Sequence, residues 1–360
     1  MEHRIHRIEL IPIRIKLTKP FVISLGRVDY TENLFIRIET QSGLAGYGEC
    51  CPFRWINGES LETAMAVGKY LADALTGCDP LDIQSCTDRM NQVIFGNSSV
   101  KSAFDIALHD LGAQTAGMPL YRWLGGDHNH TLVTDYTVSI AEPAAMAEEA
   151  AWVKQEGYPA IKVKVGRRKE EDVKAIRMIR EEVGPDIPLR LDANQGWDME
   201  TAIAILSTLD GMNIEFCEEP IPRWDFMHLP VVRKASPVPV MADESCSDHH
   251  DLTRLIDLEA CDYINIKLGK SGGLLEAQKM LRLAEQAGMM VQVGGFVESR
   301  LGFTASAHLA LSSDSVKWCD FDTPLMLDED PVEGGLEYGP GGLIRISEEA
   351  GLGARVRRDT

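Results

Sequence analysis

Lys162-Val163-Lys164, Asp192, Glu218, Asp243 and Lys267 follow one another at intervals of about 25 residues, each within or just after a short apolar run. The carboxylates stand in the middle of the series and the lysines at its ends. Three acidic side chains delivered from successive strand ends can hold one hard divalent cation. Lysines on either side of that cation can move protons at a carbon beside a bound carboxylate. The chemistry implied is proton removal and return through an enolate.

Such a series needs a scaffold that repeats. From about Val133 the chain alternates short apolar runs with helical segments, the pattern of βα units on a parallel sheet. Eight strands are expected: Val133 to Ile140, Ala160 to Val165, Leu189 to Ala193, Ile214 to Cys217, Pro239 to Ala242, Tyr263 to Leu268, Met290 to Val293, and Val316 to Phe321. Eight at this spacing close a (β/α)8-type barrel, and their polar C-terminal ends suit its catalytic face. Lys267 then ends the sixth strand, across the barrel from Lys162 and Lys164 on the second. Ahead of the barrel, residues 4 to 17 alternate in two phases, with a slip beside Pro12 that reads as a bulge or an edge strand. Leu34 to Ile38 and Leu44 to Gly48 around Gln41-Ser42-Gly43 read as a hairpin, and helices are expected over Ser60 to Leu75 and Ser98 to Ala116. The domain reading is an α+β capping domain over 1–125, the barrel over 126–322, and a segment over 323–360 that returns to the cap.

Composition narrows the partners. A formal net charge of -19 over 360 residues argues against nucleic acid or an anionic membrane, either of which needs a basic face. No apolar stretch reaches the roughly 18 residues of a membrane span. Met1-Glu2-His3-Arg4 leads into a polar-alternating strand rather than a signal peptide, so a cytoplasmic chain is expected. The eight cysteines form no CxxC pair and read as reduced and structural. Assembly into a homo-oligomer stays open.

Asp192 lies in Leu191-Asp192-Ala193-Asn194, Glu218 in Cys217-Glu218-Glu219-Pro220, and Asp243 in Ala242-Asp243-Glu244-Ser245. One such carboxylate reads as a helix cap; three in three consecutive units read as metal ligands. Oxygen-only ligands favour Mg2+, with Mn2+ as a substitute, over zinc. Asn194, Glu219 and Glu244 are open between supporting the ligands and capping or solvated roles. Lys162 and Lys164, two apart on a strand, share one face, and an inward barrel face is a poor place for a spare lysine. Lys164 and Lys267 would approach a carbon over the metal from opposite sides. The cation and the second lysine would lower the base pKa toward working pH, while a charged Lys162 holds the enediolate oxygen.

Taken together, Lys-x-Lys, Asp-x-Asn, Glu-Glu-Pro, Asp-Glu-Ser and Lys267 before Ser271-Gly272-Gly273 resemble the enolase superfamily, muconate-lactonizing subgroup. The resemblance spans the chain, including Lys19-Pro20-Phe21, and implies a capping domain over a modified barrel. Lysine bases with magnesium are a feature of that superfamily. Racemases, cycloisomerases and dehydrating synthases share these motifs, so membership alone does not choose the reaction. Asp320-Phe321-Asp322 narrows it: it resembles the Asp-x-Asp of the superfamily's dipeptide epimerases, which binds the substrate's α-ammonium. A dipeptide with its carboxylate on the metal presents its amine at the far end, where buried anions suit it.

The resemblance therefore implies a dipeptide epimerase inverting the α-carbon of the C-terminal residue. The alternative is an N-acylamino acid or cyclic amino-acid racemase, with cycloisomerase and o-succinylbenzoate synthase further off. Similar epimerases acting on alanyl-glutamate carry an arginine five residues after the Phe of Lys-Pro-Phe; here Gly26 stands there, with Arg27 next. That departure, with Phe53, Trp55, Ile56 and Phe296, points to alanine-containing or other neutral and apolar dipeptides. Specificity is expected from Ser24 to Arg27, Pro52 to Asn57, Gly294 to Glu298 (with Gly295 and Glu298 at the substrate) and Asp322 to Met326. Asp135 and Thr137 on the first barrel strand are candidates for a hydrogen bond to the peptide, with packing inside the barrel as the first expectation.

Overall fold

Residues 4–357 are described by a computed structural model. Met1 to His3, part of the N-terminal stretch read as leading into a strand rather than a signal peptide, and the final three residues of the C-terminal segment lie outside them. The polar-alternating start folds as β1 (Ile5–Ile23), an edge of an antiparallel sheet with β2 (Gly26–Thr40) and β3 (Ala45–Cys50). Pairing of β1 with β2 is regular from Arg7 to Lys16, Pro12 lying opposite Leu34, so no bulge occurs at the slip. Instead the strand is apolar on both faces. Ile8 and Leu10 pack into the capping core, and Ile11 and Ile13 into the barrel core. An edge strand tolerates Pro12 because one row of its N–H groups has no ladder partner.

Helix α1 (Leu61–Leu75) begins where Ser60 and Thr63 form a reciprocal capping box, and Ala64, Val67, Gly68, Leu71 and Leu75 make its buried stripe. A helix absent from the sequence reading follows, α2 (Ile83–Val93). Only Ile83, Cys86 and Met90 are buried on it, too thin a stripe for its period to stand out. Helix α3 (Ser98–Thr115) is buried from Ser99 to Ala113 because it lies between the capping sheet and the barrel. A Cβ at Gly46 would stand 2.2 Å from the Ala107 carbonyl oxygen and one at Gly48 1.9 Å from that of Ala103, so β3 rests directly on the α3 backbone. The short α4 (Leu120–Trp123) and β4 (Leu132–Val133) lead into the barrel.

Its strands are β5 (Tyr136–Val138), β6 (Ile161–Lys164), β7 (Leu189–Asp192), β8 (Ile214–Glu218), β9 (Val240–Ala242), β10 (Tyr263–Lys267), β11 (Met290–Gly294) and β12 (Val316–Cys319). They form one parallel sheet in sequence order, curled until its ends meet: Thr134 bridges Cys319, and Asp135 N donates to the Cys319 carbonyl. Helices α5 (Pro143–Gln155), α6 (Lys169–Val183), α7 (Met199–Thr208), α8 (Leu229–Ala235), α9 (His249–Asp257), α10 (Leu268–Ser271), α11 (Leu274–Gln286) and α12 (Arg300–Ala310) lie between and after these strands. The expected barrel architecture with a capping domain is what the chain adopts. No helix of the described residues is long and apolar enough to cross a membrane.

After β12, Leu327 bridges Leu17 of β1, and Gly351 exchanges backbone hydrogen bonds with Met118 and Leu120. Ser24 Oγ donates to the Asn194 carbonyl at 2.6 Å, and Ile140 N to that of Val22 at 3.0 Å. Those bonds seat the β1–β2 turn on the C-terminal mouth of the barrel.

Candidate active site

Register brings the charged residues together. Lys164, Asp192 and Glu218 are lateral neighbours across β6, β7 and β8, and Glu218 pairs with Met241, two residues before Asp243. Because side chains repeat every second residue, Lys162 points the same way as Lys164 one step deeper. All six groups, with Lys267 at the end of β10, are buried.

Buried charges must be paired, and here they share partners. Lys162 Nζ reaches Asp320 at 2.6 Å, Glu218 at 2.8 Å and Asp192 at 3.1 Å. Lys164 Nζ meets Asp192 at 2.6 Å and Asn194 Oδ1 at 3.1 Å. Lys267 Nζ meets Asp243 at 2.7 Å and Glu218 at 3.9 Å. Burial opposes the charge on Lys162, but Asp320, Glu218 and Asp192 outweigh it and hold the ammonium well above its ordinary range. Burial likewise works to raise Asp192, yet Lys164 and Lys162 bring it down to about 2. The expected lowering of the base is not seen at Lys267. Burial pulls it down, Asp243 and Glu218 more than offset that, and it ends above its usual value. The chain's own charges favour the ammonium, so a lowered base has to come from a bound cation.

Among the described residues no group of three acidic, histidine or cysteine side chains is set to hold a metal ion as they lie. The Lys162 ammonium stands between Asp192 and Glu218, and that of Lys267 between Glu218 and Asp243. The donor set still suits a hard cation: three buried carboxylates whose charges are offset by ammonium groups they share.

Asp320 carries Lys162, while Asp322 Oδ2 accepts from Thr137 N at 2.6 Å and its Oδ1 has no partner. Burial, then the Asp320 charge, push the Asp322 carboxyl up to about 7. Two neighbouring buried acids, Asp320 held low by Lys162 and Asp322 with a free oxygen, suit a cationic group. A cavity of about 30 Å³ is lined by Lys164, Lys267, Asp320, Thr137, Gly295 and Phe296, together with Phe21, Ile23, Phe53 and Ile56 of the cap. Glu298 stands behind this wall and accepts from Phe296 N; burial and then Glu49 push it up to about 8.

Gly26 does not line the cavity. A Cβ there would lie 2.4 Å from the Trp55 ring, so the indole covers the position. Arg27 points outward and is spent on Asp29, with contacts of 2.7 to 3.1 Å. Asp135 takes the interior role rather than the one at the peptide: it pairs with Arg190 at 2.9 Å, and Arg190 also holds Glu215, so it belongs to a layer inside the barrel. Glu219 accepts from the Asp243 and Ser245 backbone at 2.8 and 3.2 Å, and Glu244 accepts from Asn194 at 3.3 Å; both are buried supports of the carboxylate turns.

Lys270 went unread in the sequence. Its buried ammonium donates to Asp243 Oδ1 at 2.7 Å, to the Asp243 carbonyl, and to the Asn265 carbonyl at 2.9 Å. Asn265 Nδ2 in turn donates to Glu218 Oε1 at 2.8 Å. Asn265 shares a strand face with Lys267, which was a readable signal; the one-turn spacing of Lys270 gave no hint that its helix would begin at the strand end.

Residues 7–125 match the family model for the mandelate racemase / muconate lactonizing enzyme N-terminal domain, and residues 145–360 that for the enolase C-terminal domain-like fold. A Cytophaga hutchinsonii protein named D-Ala-D/L-Ala epimerase is 54% identical over 99% of this chain and 96% of its own length. A Bacillus cereus protein named N-succinyl-L-Arg/Lys racemase is 37% identical over 99% of this chain and 96% of its own. The crystal structure of the dipeptide epimerase from Cytophaga hutchinsonii, complexed with Mg and the dipeptide D-Ala-L-Val, superposes with a TM-score of 0.98 over 99% of this chain and 97% of that one.

Proposed function

The chain belongs to the mandelate racemase / muconate lactonizing enzyme family of enolase-like proteins, and from that membership we propose that it is a magnesium-dependent, cytosolic dipeptide epimerase. It inverts the α-carbon of the C-terminal residue of neutral or apolar dipeptides. The observation that carries this reading is that Lys164 and Lys267, from strands four apart, line one cavity with Asp320 on its wall.

Asp192, Glu218 and Asp243 would hold the metal, which supplies a positive charge against the substrate carboxylate; Mn2+ would serve in its place. Lys164 or Lys267, according to the handedness bound, takes the α-proton, and the other returns one from the opposite side. Lys162 stays charged and stabilises the oxygen on which negative charge builds. Asp320 and Asp322 hold the free α-ammonium. Trp55 covers Gly26 and Arg27 is paired with Asp29, so neither position offers a free cation to an acidic side chain.

Pooled L,L-dipeptides incubated with enzyme and magnesium in heavy water, and read by mass spectrometry, should gain a single deuterium for neutral and apolar members. N-acetylated versions of the same dipeptides should lose most of that exchange. Exchange on the acetylated compounds alone would move the assignment to an N-acylamino acid racemase, the reading that the Bacillus cereus relative favours.

A further inference from the structure

Two buried rings have no task in that mechanism. Lys164 Nζ lies 5.6 Å from the centroid of Phe21, and Lys267 Nζ lies 5.5 Å from that of Phe296. Both rings line the same cavity as the two lysines. They arrive from different parts of the molecule: Phe21 from β1 of the cap, Phe296 from the loop after β11. Phe53, from the loop after β3, stacks on Phe296 at 5.4 Å with 13° between planes. The cap thus reaches Lys164 directly and Lys267 through one intervening ring.

A lysine that exchanges a proton with carbon must be aimed without being tied up. A carboxylate neighbour takes a directed hydrogen bond and keeps the proton on nitrogen. A ring face attracts the ammonium through its quadrupole and excludes water, yet offers no strong acceptor to compete with the substrate. The remaining neighbours of the two lysines are Asp192, Asn194, Glu218 and Asp243. Three of these carry the charges assigned to the metal. Asn194 accepts from Lys164 alone, and each ring is a neighbour that holds its lysine without a charge of its own.

We propose that Phe21 and Phe296 are a matched pair of positioning residues, each holding one proton-transferring lysine on its own side of the substrate carbon. The proposal rests on the two-lysine reading given above.

Single-lysine variants isolate each side. In Lys267→Ala, the isomer whose α-proton faces Lys164 exchanges that proton with heavy water without inversion; in Lys164→Ala, the other isomer exchanges through Lys267. Deuterium uptake by a neutral dipeptide is followed in both backgrounds at saturating substrate. Phe21→Leu should slow exchange about tenfold more in the first background than in the second, and Phe296→Leu should do the reverse. Phe21→Tyr and Phe296→Tyr, which keep the ring, should restore exchange to within about threefold. General loosening of the site would slow both sides alike, so equal slowing overturns the proposal, as does failure of the tyrosine variants, with the two-lysine reading left standing. Absence of exchange in both single-lysine enzymes overturns that reading and the proposal together.

Discussion

Lys164 and Lys267 are held by acceptors that outlast their removal. If Lys267 becomes alanine, Asp243 keeps Lys270 and Glu218 keeps Lys162 and Asn265, so the carboxylates stay paired and the fold should survive. The loss then falls on chemistry. Lys164→Ala and Lys267→Ala are each expected to lower epimerisation by at least the order of 10² to 10⁴ of a general acid or base, measured by chiral separation of product. Near wild-type interconversion by either variant would remove that lysine from the mechanism. Asp322 differs from the Glu218 and Asp243 carboxylates in having a buried oxygen without a hydrogen-bond partner.

At the scale of elements, His308 of α12 ties three of them together. Its Nδ1 accepts from Tyr121 N of α4 at 3.0 Å, and its Nε2 donates to the Leu352 carbonyl of the C-terminal segment at 3.1 Å. The bond from Tyr121 needs the neutral ring, whose Nδ1 is free to accept, and burial holds the pKa down to about 4 against the Leu352 carbonyl and the weaker pull of Glu348. In the unfolded chain the ring titrates near 6.5. Between those values the unfolded state binds the extra proton, so stability falls as the pH is lowered from about 6.5 to about 4, by about 3 kcal/mol in all. Urea denaturation of wild type and His308→Gln across this window is the check. The variant should lose that part of the pH slope, and an unchanged slope would place the acid sensitivity elsewhere.

For the whole molecule, the central fact is a cluster of buried acids in a chain of net charge -19. An ion that binds only the folded site stabilises it by mass action, about 2.7 kcal/mol at a hundred times its Kd. Magnesium should therefore raise the melting temperature by a few degrees, chelation should reverse this, and Asp192→Asn should largely abolish it. A wild-type Tm that ignores magnesium would overturn the ligand assignment. The cap belongs to the same unit, since it supplies four walls of the cavity in Phe21, Ile23, Phe53 and Ile56.

Much of this was present in the sequence because it is local. A buried parallel strand is a short apolar run, and a charged residue at its end stands out against that run; hence the eight strands, the three carboxylates and the three lysines were readable one by one. Helix α1 announced itself through Ser60, whereas α2, with three buried residues, did not. What the sequence could not contain is the outcome of long-range pairing. The register that sets Lys164, Asp192 and Glu218 side by side, the indole of Trp55 over Gly26, the pairing of Asp135 with Arg190, and the grip of Lys270 on Asp243 each join segments whose separation along the chain says nothing of their distance in space. Side-chain period and strand ends are written residue by residue, while which groups become neighbours is decided only when the sheet closes and the cap settles on its mouth.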